Sequence, residues 1–348
     1  MSNPLLIEIG CEEIPARMIA SSAQELGRRV GAILDEAALE HGVVTAWGGS
    51  RRLSVRVEAV QEKQADRLER VLGPPQQAAF DEQGQPRPAA IGFARKQGVE
   101  PAELELFDTD RGRYVGLERQ RPGQDIGEVL AEQLPGAVGG MSFPKTMRWG
   151  DGTFRWVRPV HWLLALHGNQ LLPLELFGVR AAAASTGHRF LGEARVAVQQ
   201  PDEYETALEQ AHVVADPARR REILSARLEE AAQRLGGTPV DDPALMDEVV
   251  DLVEWPGVVA GKFDEAYLEL PRELLVTTLR HHQKCFSVQN EDARVLPHAA
   301  LGPGAQCATH QIDPGADQQD PEQVQIRAAQ RPGDQHAAQG PHRPRRDR

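Results

Sequence analysis

A chain of 348 residues can bury one large core or two ordinary ones, and 41% hydrophobic content fits a globular protein. The net charge of −12 excludes a surface that attracts nucleic acid all round, so any RNA contact must come from a local basic patch. Cys11, Cys285 and Cys307 form no CxxC pair and no disulfide-type spacing, and no apolar run has the length of a membrane span. With no apolar leader after the first residues, the expected setting is a reducing cytoplasm without a membrane partner.

Leu5–Ile9 reads as a short buried strand. After Glu12–Pro15 a helix runs to about Glu40, with Ile19, Leu26, Val30, Ile33, Leu34 and Ala37 at helical spacing and Gly42 as its stop. Arg52–Val60 alternates, placing Leu53, Val55 and Val57 on one face of a half-buried strand. Gly73-Pro74-Pro75 breaks the chain, and Pro88–Gln97 is a short helix closed by Gly98. Arg113–Glu118 is a strand and Ile126–Leu134 a helix. Trp162–Leu166 and Leu171–Phe177 flank His167-Gly168-Asn169-Gln170, a hairpin signal.

Further on, Asp202–His212 reads as a helix. Asp216 caps a stronger one, with Pro217 at its first position, the stripe Leu224, Leu228, Ala231 and Leu235, and Gly236-Gly237 at its end. Leu245–Val253 is helical, a strand lies near Gly257–Lys262, Arg272–Lys284 looks helical, and Phe286–Val288 starts a strand. Strands and helices mix without a βαβ repeat, so the expected class is α+β. The expected division is 1–200 as an α+β domain, 201–298 as a helix-rich continuation, and 299–348 as a tail.

Cations interleaved with indoles mark Lys145–Trp162, KTMRWGDGTFRWVRPVHW, with Lys145, Arg148, Arg155, Arg158 and His161 among Trp149, Trp156 and Trp162. Arginines can hold phosphates while indoles stack on bases. The competing reading is a buried aromatic cluster with internal salt bridges, since tryptophan is usually highly buried. Gly187-His188-Arg189-Phe190 could set an imidazole and a guanidinium beside a phosphate. Arg51-Arg52 follows Gly48-Gly49-Ser50, where turn amides and two cations could do the same, the competing reading being solvated charge at a strand end. Glu12 and Glu13 read either as an acid/base pair or as charges complementing a helix N-terminus. His281, His282 and Cys285 lack a second ligand pair for structural zinc, so RNA contact or packing at a helix end fits this group better. No phosphate loop, dinucleotide fingerprint or nucleophile elbow is present.

Collinear blocks carry a more specific signal: MSNPLLIEIGCEEIPAR, SRRLSVRV, GPP…AFDEQGQPRPAAIGFARKQGV, the KTMRW…VHW block, TGHRF, DEVVDLVEWPGVVAGKFDEAYLELP and LLVTTLRHHQKCFSV. In that order they resemble the β subunit of bacterial tetrameric glycyl-tRNA synthetase, over roughly the first half of a typical member. The resemblance implies an α2β2 complex that joins glycine to tRNA(Gly) using ATP with Mg. In it the adenylation site lies on the α subunit, and no catalytic residue, metal or cofactor is assigned to this chain. It further implies a front portion resembling the editing-domain fold of the phenylalanyl enzyme's β subunit. The candidate RNA contacts are Arg51, Arg52, Lys145, Arg148, Arg155, Arg158, His188, Arg189, His282 and Lys284. The alternatives are a free-standing RNA- or aminoacyl-tRNA-binding or editing module, and an inactive gene fragment.

From about residue 299 the composition turns to Gln, Ala, Pro, Gly, Asp and Arg with no aromatic residue, which predicts disorder. GC-rich DNA read out of frame gives this mixture, so a frameshift near Pro297–Leu301 is expected, with a natural disordered tail as the alternative. Translation of the following DNA in the other two frames decides between them.

Overall fold

The computed structural model describes residues 2–150 and 152–301. Its centre is a five-stranded antiparallel sheet in the order β10-β9-β1-β3-β2, made of β1 (Ser2–Cys11), β2 (Val44–Gly49), β3 (Arg52–Gln61), β9 (Val160–His167) and β10 (Gln170–Leu171). Ile7 lies opposite Val55 on one side and Ala165 on the other. Successive side chains in a strand point to opposite faces, so this register sends Leu5, Ile7, Ile9, Leu53, Val55 and Leu163 to one face. There they bury against α1 (Ala16–Glu36) and α4 (Ile126–Gly139) through Ile19, Leu26, Val30, Val129, Leu130 and Leu134.

The helix of the expected 16–40 span ends at Glu36, earlier than its apolar pattern suggested. Ala38 takes a left-handed φ of 51°, and the Leu39 amide returns to the Leu34 carbonyl oxygen. Gly42 therefore is not the stop. Its amide donates to the Glu58 carbonyl oxygen, and an added Cβ would lie 2.9 Å from that oxygen. A side chain there would push the incoming chain off the sheet edge. Helix α4 starts on Asp125, which accepts from the Gly127 amide, and runs past the expected end through Pro135, held by buried Leu134 and Val138.

Between β3 and α4 a small sheet forms in the order β4-β6-β5, from β4 (Arg67–Pro75), β5 (Glu105–Thr109) and β6 (Gly112–Arg121). The Gly73-Pro74-Pro75 break falls within β4 as a register shift. The helices α2 (Gln76–Ala79) and α3 (Pro88–Gln97) accompany this sheet, and α3 closes on Gly98 at φ 69°, as its sequence implied.

A hairpin of β7 (Met147–Trp149) and β8 (Phe154–Trp156) leads into β9. After the Gly168 turn the expected second hairpin strand is only β10. The chain then forms the short ladders of β11 (Glu175–Leu176) with β12 (Val179–Arg180), and β13 (Ala184–Ser185) with β14 (Val196–Ala197).

The second face of the central sheet is also covered, which the alternation of β3 did not reveal. Leu6, Trp47, Leu164 and Leu166 pack with Val198, Tyr204, Leu208 and Val213, so the stretches 1–200 and 201–298 share one apolar cluster. Tyr204 and Leu208 belong to α5 (Tyr204–Gln210). Next comes α6 (Pro217–Arg234), capped by Asp216, which accepts from the Ala218 amide at 2.8 Å. Its stripe meets α7 (Pro243–Leu252) and Phe286.

The last sheet runs β15-β17-β18-β16, from β15 (Thr238–Pro239), β16 (Val259–Lys262), β17 (Cys285–Gln289) and β18 (Val295–Leu301). The expected helix over 272–284 is α8 (Arg272–Thr278), followed by a wider π-type turn and a left-handed Lys284. Strand β18 extends through Ala299–Leu301, past the expected tail boundary, because its backbone ladders with both β16 and β17. The expected disordered tail and frameshift otherwise lie outside the described residues.

Candidate nucleic-acid interface

Hairpin parity sorts the residues of the aromatic-cationic block. Met147 pairs with Trp156, Arg148 with Arg155, and Trp149 with Phe154. The indoles therefore take one face and the two arginines the other. Trp156 is 1% exposed and lies 5.5 Å edge-on from the Phe143 ring and 5.6 Å from Phe177, while Trp149 meets Phe177 and Phe154. These two indoles are packing elements, as the buried-cluster reading anticipated.

On the opposite face, Arg148 and Arg155 stand exposed and directly across from each other. Cross-strand Cβ atoms in such a pair lie about 5 Å apart, and like charges so placed are destabilising. Among the described residues neither arginine has an ion-pair partner. Arg155 Nε donates to Thr146 Oγ1 at 2.7 Å. Lys145, two residues before the hairpin, is exposed and likewise unpaired among the described residues. Arg158, at the exit, spends Nε on the Glu13 carbonyl oxygen at 2.7 Å and Nη1 on that of Val157 at 2.8 Å. Gly150 and Gly152 hold left-handed φ values of 64° and 85° at the tip. The result is a cationic face on a rigid aromatic base.

The other expected contacts are placed differently. Arg52 is 2% exposed. It donates to Glu254 Oε1 at 2.9 Å, to Ser185 Oγ at 3.1 Å and to the Thr186 carbonyl oxygen at 2.8 Å, and pairs with Glu8 Oε2 at 3.3 Å. It is a core residue and cannot grip a phosphate, a correction imposed by the cover over the second sheet face. Arg51 is 9% exposed, 3.8 Å from Glu254 and stacked near the Trp162 ring. Burial lowers the pKa of its guanidinium, against the pull of Glu254. His188 is also buried, and its Nδ1 accepts from the amides of Phe190 and Leu191, so it shapes the loop and does not face solvent.

Arg189 is exposed but shared between Glu12 and Glu13, at 2.7 Å from each. Its hydrogen bond holds the Glu12 carboxyl down at about pKa 2, and His161 Nε2 lies 2.9 Å from the other Glu12 oxygen. A carboxylate so stabilised is a poor base. Helix α1 begins only at Ala16, so the helix-terminus reading of Glu12 and Glu13 does not hold either. Lys284 is paired with Glu248 at 2.9 Å, whereas the neighbouring His282 is exposed, on a different sheet system from the hairpin.

The sequence reading missed the buried polar network. Glu8, in the apolar run of β1, is fully buried and accepts from Trp162 Nε1, Ser185 Oγ and the Tyr204 hydroxyl as well as from Arg52. Gly10 lies between Arg52 and Trp162 in the sheet, and an added Cβ would sit 1.8 Å from the indole. The signal available was the single carboxylate inside LLIEIG. Among the described residues no group of three or more His, Cys, Asp or Glu side chains could hold a metal ion, and no helix is long and apolar enough to cross a membrane.

Against known proteins, residues 5–301 match the family model described as glycyl-tRNA synthetase beta subunit. The chain is 42% identical over 297 residues to the glycine–tRNA ligase beta subunit of Desulforudis audaxviator, covering 85% of this chain and 43% of that protein. It is 45% identical over 298 residues to the protein of the same name from Acidobacterium capsulatum, covering 84% and 42%. The chain thus spans less than half the length of the curated relatives it matches. The match begins inside β1, takes in the cationic hairpin and the buried network, and ends with β18, and by this agreement the chain belongs to the glycyl-tRNA synthetase β-subunit family.

Proposed function

We propose that this chain is the tRNA-handling front portion of a glycine–tRNA ligase β subunit. In this reading it assembles with an α subunit that carries the adenylation site, in a cytoplasmic α2β2 tetramer. The complex converts ATP, glycine and tRNA(Gly) to glycyl-tRNA, AMP and diphosphate. The ATP and its Mg are bound by the α subunit, and this chain contributes no catalytic side chain. Family membership supports the reaction class.

One observation supports RNA contact: Arg148 and Arg155 face each other across β7 and β8 with no carboxylate between them among the described residues. A phosphate oxygen placed between two such guanidinium groups would relieve their repulsion and accept charge-assisted hydrogen bonds. Lys145 and Arg158 extend the seat along the hairpin. Arg51, Arg52, His188 and Lys284 contribute through the fold, and Arg189 can reach RNA only by leaving Glu12 and Glu13.

The test is glycylation of tRNA by the purified chain mixed with its own α subunit, run beside direct tRNA binding. Binding without glycylation supports an RNA-holding portion that needs the rest of a β subunit. Absence of binding at low salt by a folded chain overturns the reading. A second reading, in which this chain alone supports no glycylation, is favoured by the relatives having more than twice the matched length.

A further inference from the structure

Helix α3 is held to the fold by a narrow stripe. Only Ala90 and Ala94 are buried, one turn apart, while Pro88, Ile91, Gly92, Arg95 and Lys96 stand exposed. At about 100° per residue, Gly92 sits near the middle of that open face, with Arg95 and Lys96 on either side of it one turn on. Glycine inside a helix is destabilising relative to alanine, so it calls for a reason. Packing supplies none: a Cβ added at Gly92 would meet nothing within 4 Å beyond the helix itself, and its φ is not left-handed.

The charges around it point to the partner. Residues 83–99 contain Arg87, Arg95 and Lys96 and no acidic residue, in a chain of net charge −12. Among the described residues none of the three has an ion-pair partner, and Arg87 Nη1 donates to a neutral group, the Gln77 carbonyl oxygen, at 3.3 Å. Arg95 and Lys96 complement the dipole at the end of α3, but Arg87 is its N-cap residue, where a cation opposes the dipole. Gly92 and Arg87 therefore both weaken the helix, and nothing within the chain offsets either. An open glycine alone is no signal: Gly136 of α4 is equally open, but α4 carries no Lys or Arg. A notch without a side chain, set among unpaired cations, fits a partner that is anionic along its backbone and comes close.

We propose that the open face of α3 is a second RNA-contact surface, with the sugar–phosphate backbone of an RNA strand lying across Gly92 and Arg87, Arg95 and Lys96 on its phosphates. The proposal rests on the tRNA reading above and deepens it. The surface is distinct from the hairpin of β7 and β8, since α3 accompanies the β4-β6-β5 sheet.

The test is filter binding of an unmodified tRNA(Gly) transcript to the full chain at several salt concentrations. Gly92→Leu keeps every charge and puts a good helix former in place of a poor one, so Tm should stay level or rise. Binding should nevertheless weaken by about tenfold or more, because the side chain lifts the phosphates off the neighbouring cations. Gly136→Leu, on the cation-free α4, should leave affinity unchanged. Arg87→Ala with Arg95→Ala and Lys96→Ala should flatten the plot of log affinity against log salt by about 2–3 units of slope. Should Gly92→Leu not fold, Gly92→Ala gives the same reading with a single methyl group. Unchanged affinity in a folded Gly92 variant overturns the proposal and leaves the hairpin reading standing, and equal weakening by Gly136→Leu overturns it as well. Loss of α-subunit capture with tRNA binding intact identifies a protein as the occupant and also overturns it. A parent chain that binds no tRNA at low salt takes down the tRNA reading, and this proposal with it.

Discussion

Arg52 donates from Nε to Oε1 of Glu254 at 2.9 Å, joining two residues 202 positions apart in the chain. This bond fastens the start of β3 to the segment after α7. It lies in a fully covered network with Glu8, Ser185 and Tyr204, so the charge of Arg52 is spent on the fold.

Removing one member of such a network leaves buried charge unpaired. Arg52→Ala should cost about 3–5 kcal/mol of stability, since Glu8 loses its cation and Glu254 keeps only the more distant Arg51. Arg70→Ala breaks the exposed pair with Glu118 and removes a guanidinium lying 4.3 Å over the Phe107 ring, and should cost only about 1–2 kcal/mol. Urea unfolding of the two variants measures the contrast, and equal costs would show that the network is not coupled to folding.

The hairpin arginines should behave in the opposite way. Arg148→Ala with Arg155→Ala should change stability by only about 0.5 kcal/mol or less, as exposed substitutions do. The same variant should weaken tRNA binding and flatten the plot of log affinity against log salt by about 1–2 units of slope, two phosphate contacts having gone. Filter binding at several salt concentrations reads both, and an unchanged slope removes the hairpin from the RNA interface.

Trp156 separates packing from stacking. Trp156→Ala should destabilise the chain by about 3–5 kcal/mol, the range for emptying a large aromatic site. Trp156→Phe keeps most of the contact with Phe143 and Phe177 and should retain tRNA affinity. Loss of affinity in a stably folded Trp156→Phe variant would return the indole to the RNA surface.

Asp251 supplies a pH dependence. Burial raises its carboxyl from 3.8 to about 6, against the opposing pull of Arg220. In that window the folded chain holds a proton that the unfolded chain has released, so this group's contribution to stability is present below 3.8 and lost as pH rises through about 6. Asp251→Asn abolishes this titration. The stability of the variant minus that of the parent should therefore grow from about pH 4 to about pH 6 and stay level above, in urea unfolding followed across that range. A flat difference would show that the carboxyl is not desolvated.

Local features were legible because their causes are local. Asp216 with Pro217 announces α6, Gly98 closes α3, and the alternation of Leu53, Val55 and Val57 marks the inner face of β3. Ordered motifs likewise pointed to the family without any geometry. The end of α1 was missed because Ala38 adopts a left-handed conformation that nothing in its side chain requires.

By itself, then, the sequence determined the mixed class, the main helices and the family, all of which depend on neighbouring residues and their order. Only the tertiary structure decided which cations face outward. Arg148 and Arg155 share a face because strand parity sends the intervening indoles inward. Arg52 was withdrawn from solvent because residues 8, 185 and 254, brought together by the sheet register and the packing of its second face, offered it two carboxylates and a hydroxyl inside the core. A guanidinium reads the same in a sequence whether it meets water or a buried carboxylate, and the difference is made by chain segments far away along the polypeptide.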